Sequence, residues 1–183
     1  TDKVVLNGQE ICIDSIVKIF GEKKYTLYFT GSYYYILNES SNFIVPKQKI
    51  TDGIIGSEFT HVDASLFVGW ENEATVIYLF NDNEYELVKF EDDVFYVESR
   101  GLLSEWEYPC FFEKIDTAGY MGNNIFMVTR NEKYALIDTT KKSVKEVGLL
   151  RNYFRRETEK INTDLQFNYD ALVMTMKKEN GVL

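Results

Sequence analysis

The sequence has only two prolines, two cysteines and one histidine in 183 residues, and no apolar run near the ~20 residues that span a bilayer. The missing apolar run argues against a transmembrane helix. With 45% apolar residues, so little proline excludes a disordered or low-complexity chain. Positive charge is also scarce: 20 Lys and Arg stand against 29 Asp and Glu, a net charge of −9. That balance argues against sequence-independent nucleic-acid binding, which needs a basic face. It suits a cation, a cationic small molecule or a basic protein partner. The two cysteines, Cys12 and Cys110, allow one disulfide or two buried thiols, and both readings stay open. No nucleophile–base pair, metal-ligand cluster or phosphate loop stands out. "FTGSYY" and "YMGNN" carry glycine without a phosphate motif, so a non-catalytic protein is expected.

What is present is aromatic and repetitive. There are 13 Phe and 13 Tyr, and a chain of this length can remove roughly 70% of its surface from water as a single domain spanning 1–183. "FTHVDASLF" (59–67) places Asp63 in what reads as a buried strand, where an unpaired charge costs several kcal/mol. Three further stretches match it: "ICIDSIVKIF", "EKIDTAGYM" and "EKINTDLQF". Their polar anchors, Asp14, Asp63, Asp116 and Asn162, follow one another at 49, 53 and 46 residues. That period falls in the range of propeller blades, roughly 40–50 residues.

Each anchor is followed by the same succession. A small residue comes first (Ser15, Ala64, Thr117, Thr163), then a β-branched or aromatic strand: "YTLYF", "TVIYLF", "NIFMV" or "ALVMTM". A short polar turn, "TGS", "NDNE", "TRNEK" or "KKEN", then leads to a third strand. Three of these begin at tyrosines, Tyr34, Tyr85 and Tyr134, which lie 20, 22 and 18 residues past their anchors; the fourth has Gly181 at 19 and is truncated or short. The stretches before the next anchor have room for a strand end and a helical turn or two. "LLRNYFRR" is the best helical candidate, with Leu149, Leu150, Tyr153 and Phe154 on one side. The expected fold is all-β: a four-bladed β-propeller with blades at about 9–58, 59–110, 111–157 and 158–183. Two packed sheets are the alternative, but they give no reason for a fourfold anchor. In a propeller the first strand of each blade lies nearest the axis, so the anchors would form a ring.

The succession "VDAS…VIYLF-NDNE-YELV" resembles a hemopexin-like repeat, and the resemblance covers nearly the whole chain. It implies a binding module whose relatives take proteins, polysaccharide, haem or polyamines and often hold ions in the central tunnel. By position it makes Asp14, Asp63, Asp116 and Asn162 candidate metal ligands for Ca2+ or Na+. Haem held by paired histidines is not available, since His61 is the only histidine. The sequence departs from the repeat where the family has tryptophan, carrying Tyr35, Glu86 and Ala135, and its cysteines do not match the usual closing disulfide.

The anchors can also be read simply as caps of local turns beside a wet tunnel. His61 reads as a surface or hydrogen-bonded histidine, "FEDDVF" (90–95) as a solvated acidic turn, and "RNYFRR" with "KKSVK" as a solvated basic stretch. The functional expectation is protein–protein recognition with a cation in the tunnel. Sequestration of a cationic small molecule such as a polyamine is one alternative. Neutralisation of a basic effector, as an immunity protein does, is another. The chain starts at Thr1, and "NES" at Asn38 is a glycosylation sequon. Both fit a secreted protein from which a leader has been removed, with a cytoplasmic location left open.

Overall fold

The hairpin turns set the strand pairing. In the computed structural model, which describes residues 2–6, 8–20, 23–71, 74–106, 114–138, 140–141 and 143–160, three two-residue turns close with Thr30 opposite Tyr33, Asn81 opposite Glu84 and Arg130 opposite Lys133. Their first residues, Gly31, Asp82 and Asn131, have φ of 54°, 50° and 54°. This is the left-handed region that Gly, Asn and Asp enter at least cost and that tight hairpins require.

The strands follow from these turns. β1 (Asp2–Leu6) and β2 (Gln9–Ile13) form a two-stranded antiparallel hairpin. β3 (Ser15–Ile19), β4 (Tyr25–Thr30), β5 (Tyr33–Asn38) and β6 (Phe43–Lys49) form a four-stranded sheet in chain order. A single helical turn, α1 (Ile50–Gly53), leads to the short β7 (Ile54–Ile55). β8 (Ala64–Glu71), β9 (Ala74–Asn81), β10 (Glu84–Glu91) and β11 (Val94–Leu102) make the next sheet, and β7 adds to the outside of β11 in parallel. After a 3-10 turn at Leu103–Trp106 come β12 (Thr117–Gly122), β13 (Ile125–Arg130), β14 (Lys133–Asp138) and β15 (Ser143–Leu149), again in chain order. The protein is therefore all-β, built of four antiparallel sheets.

The chain divides into two compact units, residues 1–147 and 148–183. Of the second, residues 148–160 are described, and 150–160 are helical (α2), as "LLRNYFRR" predicts. Leu150 and Tyr153 are partly buried there, whereas Phe154 is 59% exposed. Asn162, the strand expected at 171–176 and Cys110 lie outside the described residues. No helix among the described residues is long and apolar enough to cross a membrane.

Two details differ from the sequence reading. Each anchor acid was expected within a strand, but Asp14, Asp63 and Asp116 stand at bends one residue before β3, β8 and β12. "ICIDSIVKIF" is thus two strands, because the backbone turns at Asp14 from pairing with β1 to pairing with β4. Cys12, on β2, is exposed, while its neighbour Ile13 is buried.

The middle sheet is buried on both faces. Alternate side chains of β9 enter different clusters: Ile77 and Leu79 pack with Val17, Ile19, Leu27 and Phe29 of the first sheet. Tyr78 and Phe80 pack with Phe126, Val128, Ala135 and Ile137 of the third. Double burial explains why "ATVIYLF" is a continuous apolar run rather than an alternating one. Trp106 closes the second cluster, 4.8 Å from Tyr85, 5.1 Å from Tyr78 and 5.9 Å from Phe126 between ring centroids.

Glu86, in the position where the repeat family carries tryptophan, is fully buried and fully engaged. It accepts the Ser57 hydroxyl at 2.7 Å and the Glu58 backbone N–H at 2.9 Å. Arg100 approaches it at 3.7 Å, pairs with Glu58 and donates to the Gly56 carbonyl. A buried carboxylate is tolerable with this many partners. It fastens the segment entering the middle sheet, at Gly56–Glu58, to β10 and β11.

Trp106→Ala is expected to lower the unfolding free energy by about 3–5 kcal/mol, the usual cost of emptying an aromatic core site. Val5→Ala, at a side chain 66% exposed, should stay within about 0.5 kcal/mol. Urea denaturation followed by fluorescence or circular dichroism measures both.

Candidate functional site

The three described anchors perform the same local task. The backbone N–H of Asp14, Asp63 and Asp116 donates to the carbonyl of Phe29, Phe80 and Thr129, at 2.9, 2.8 and 2.8 Å. In return Oδ2 of each carboxylate accepts the N–H of the left-handed turn residue: Gly31 at 2.7 Å, Asp82 at 2.7 Å and Asn131 at 2.6 Å. Each acid therefore clamps the start of the first strand of its sheet to the next hairpin turn of the same sheet. Their exposure differs: Asp14 and Asp116 are exposed, whereas the Asp63 side chain is only 10% exposed.

The first strands of the three sheets lie side by side, with β8 packed against both β3 and β12. Ser15 and Ser65 bridge two of them through their hydroxyls at 2.5 Å. A cavity of about 380 Å3 runs along these strands, lined by Ile16 and Lys18 of β3, Phe20 just beyond it, Ser65 and Phe67 of β8, and Gly119 and Tyr120 of β12. Phe20 and Phe67 meet edge to face at 5.7 Å within its wall.

At the anchor end the charges converge. One oxygen of Asp63 caps the turn, and the other, Oδ1, faces Lys114 Nζ at 2.9 Å and His61 Nε2 at 3.5 Å. Ligand atoms of His61, Asp63 and Asp82 all lie within 4.8 Å of one another, a candidate metal-binding group. Lys114 is held above the ordinary lysine value of 10.5, first by its hydrogen bond to Asp63 and then by the charges of Asp63, Asp82 and Asp116, against the opposing effect of partial burial. Lys114 and Asp82 are the functional residues that the sequence reading missed. A signal existed for the lysine: Lys114 precedes Asp116 by two residues, as His61 precedes Asp63.

Asp92 and Asp93 of "FEDDVF" form the β10–β11 turn, where Asp93 pairs with Lys23 at 3.4 Å. "RNYFRR" lies on α2, where Arg155 reaches Glu159 at 4.0 Å.

No protein-family model matches the sequence, and no curated protein matches it. Solved structures do. Hemopexin fold protein CP4 from cow pea superposes with a TM-score of 0.62 at 17% identity, over 78% of this chain and 69% of that one. This chain has the hemopexin fold. LS24, a seed albumin from Lathyrus sativus, superposes at a TM-score of 0.63 and 19% identity, over 83% of this chain and 72% of that one. A plant lectin with two metal binding sites from Cicer arietinum matches at 0.60 and 19% identity, over 78% and 69% of the two chains. At such identities, what the chains share is the hemopexin fold.

Asp63→Ala removes a charged acceptor from the Asp82 N–H and is expected to cost about 1.5–3 kcal/mol. Asp63→Asn keeps an amide oxygen for the turn and should cost less. Chemical denaturation of the two variants separates turn capping from charge. The raised value of Lys114 has a definite sign. Its stabilising contribution is whole below pH 10.5 and is lost as pH rises through the higher value of the folded chain. Lys114→Met should therefore flatten that alkaline part of the stability–pH curve.

Proposed function

We propose that this chain is a non-catalytic binding protein that recognises cationic groups, above all the basic side chains of a protein partner, at the anchor end of its inner strands. In this reading the four repeats make a four-bladed propeller, with residues 158–183 as the last blade. Asp14, Asp63 and Asp116, together with Asn162 at the matching place of the fourth repeat, supply its polar ring. The observation that carries the proposal is the setting of Lys114, whose ammonium is held by Asp63 with Asp82 and Asp116 around it. A place that holds the chain's own ammonium has the field to hold a foreign one. The net charge of −9 extends that field outward and favours encounter with basic partners. The kinship in fold with seed albumins and with a lectin supports a binding role.

A metal ion fits the same end on one condition. Asp63 and Asp82 would be its carboxylate ligands, with His61 beside them, but Oδ1 of Asp63 is engaged by Lys114 and Oδ2 by a backbone N–H. A calcium or sodium ion would therefore stand in place of the Lys114 ammonium, using carboxylate oxygens as such hard ions prefer. Spermine and a lysine side chain would compete for the same oxygens.

Thermal unfolding of the whole chain with calcium, spermine or a lysine-rich peptide, each beside a chelated control, tests the proposal. At least one of them should stabilise the protein, by about 2.7 kcal/mol when present at a hundred times its dissociation constant. The effect should weaken with salt and vanish in Asp63→Asn. No shift with any of the three, or an equal shift in Asp63→Asn, would defeat it.

A further inference from the structure

A second concavity lies away from the inner strands, between the first and middle sheets. There β6, α1 and the β10–β11 turn leave a cleft of about 550 Å3, within the roughly 300–1,000 Å3 typical of small-molecule sites. Its walls are aromatic. Phe90 and Phe95 stack at 4.3 Å, Tyr25 meets Phe90 edge on at 6.0 Å, and Tyr34 meets Phe95 edge on at 6.5 Å. Its rim is apolar and open to water: Ile44, Ile55 and Val94 are 50%, 61% and 42% exposed.

Gly53 lets α1 lie close against Tyr34 and Gln48 at the side of the cleft. A Cβ there would fall 2.0 Å from the Tyr34 hydroxyl and 2.7 Å from Gln48 Cδ. That hydroxyl donates to Gln48 Oε1 at 3.1 Å, and burial pushes the phenol up to about 12, so it keeps its proton at ordinary pH. The cleft has two carboxylates, Asp52 and Asp93, and one cation, Lys23. Lys23 is already paired with Asp93, and Asp52 has no ion pair among the described residues.

We propose that this cleft binds a small aromatic amine, with its flat ring against the Tyr25–Phe90–Phe95 wall and its ammonium on the Asp52 carboxylate. Aromatic faces attract both flat rings and cations. The uncompensated acid selects an amine over an acid of the same shape. None of the anchor residues lines the cleft, so this site stands or falls apart from the inner-strand site.

Tryptamine is a suitable probe, titrated onto the whole chain by calorimetry beside indole-3-propionate, which has a similar ring and the opposite charge. Saturable tryptamine binding is expected, with indole-3-propionate about tenfold weaker or worse. Asp52→Asn should weaken tryptamine about tenfold and narrow the gap between the two probes. Val94→Trp should fill the mouth and block both, and Asp63→Asn should change neither. Asp52 and Val94 are exposed, so an unchanged melting temperature shows that those variants fold. The proposal is overturned if tryptamine does not saturate at millimolar concentration or if the two probes bind equally. It is also overturned if binding survives Asp52→Asn undiminished or is lost in Asp63→Asn.

Discussion

A carboxylate that accepts the N–H of a left-handed turn residue in the same sheet is the contact from which the rest of this structure follows. It occurs three times, at Asp14, Asp63 and Asp116, with nearly the same length. The turn residue needs positive φ to close a two-residue hairpin, and its N–H then points towards the strand start. A charged acceptor there adds about 1.5–3 kcal/mol relative to leaving the group unmet. The same bond fixes the residue at which each inner strand begins. Side chains alternate along a strand, so that fixes which ones line the cavity and which enter the cores.

This contact also accounts for the charge of the site. A carboxylate has two oxygens, and the turn occupies only one. At Asp63 the remaining oxygen meets Lys114 and His61, so one side chain both caps a turn and holds the Lys114 ammonium. Asp82 shows the same economy from the other side. It is needed in the turn for its tolerance of positive φ, and its carboxylate joins the charge at the anchor end.

The aromatic residues divide by the face on which they fall. Tyr78, Phe80, Tyr85 and Phe126 gather around Trp106 in the core between the middle and third sheets. Tyr34 and Phe95 belong to the core between the first and middle sheets, with Tyr25 and Phe90 packed against it, and all four also line the cleft beside α1. Glu86 shows a further departure. Where the repeat family uses tryptophan, this chain buries a carboxylate and satisfies it with a hydroxyl, a backbone N–H and an arginine.

The sequence by itself determined the repeat, its anchors, its hairpin turns and its third-strand tyrosines. These rest on local chemistry: which residues accept positive φ, and how apolar side chains alternate along a strand. Tyr34, Tyr85 and Tyr134 are all buried, as their shared place in the repeat implies. Only the tertiary structure decided that the acids stand at bends, that β7 joins the neighbouring sheet in parallel, and that Glu86 is enclosed. It alone brought Lys114 to Asp63 across 51 residues and opened the cleft above Phe90. Each of these depends on which sheet packs against which. Short-range preferences are blind to that, because the partner lies tens of residues away and carries no mark of the pairing in its own neighbourhood.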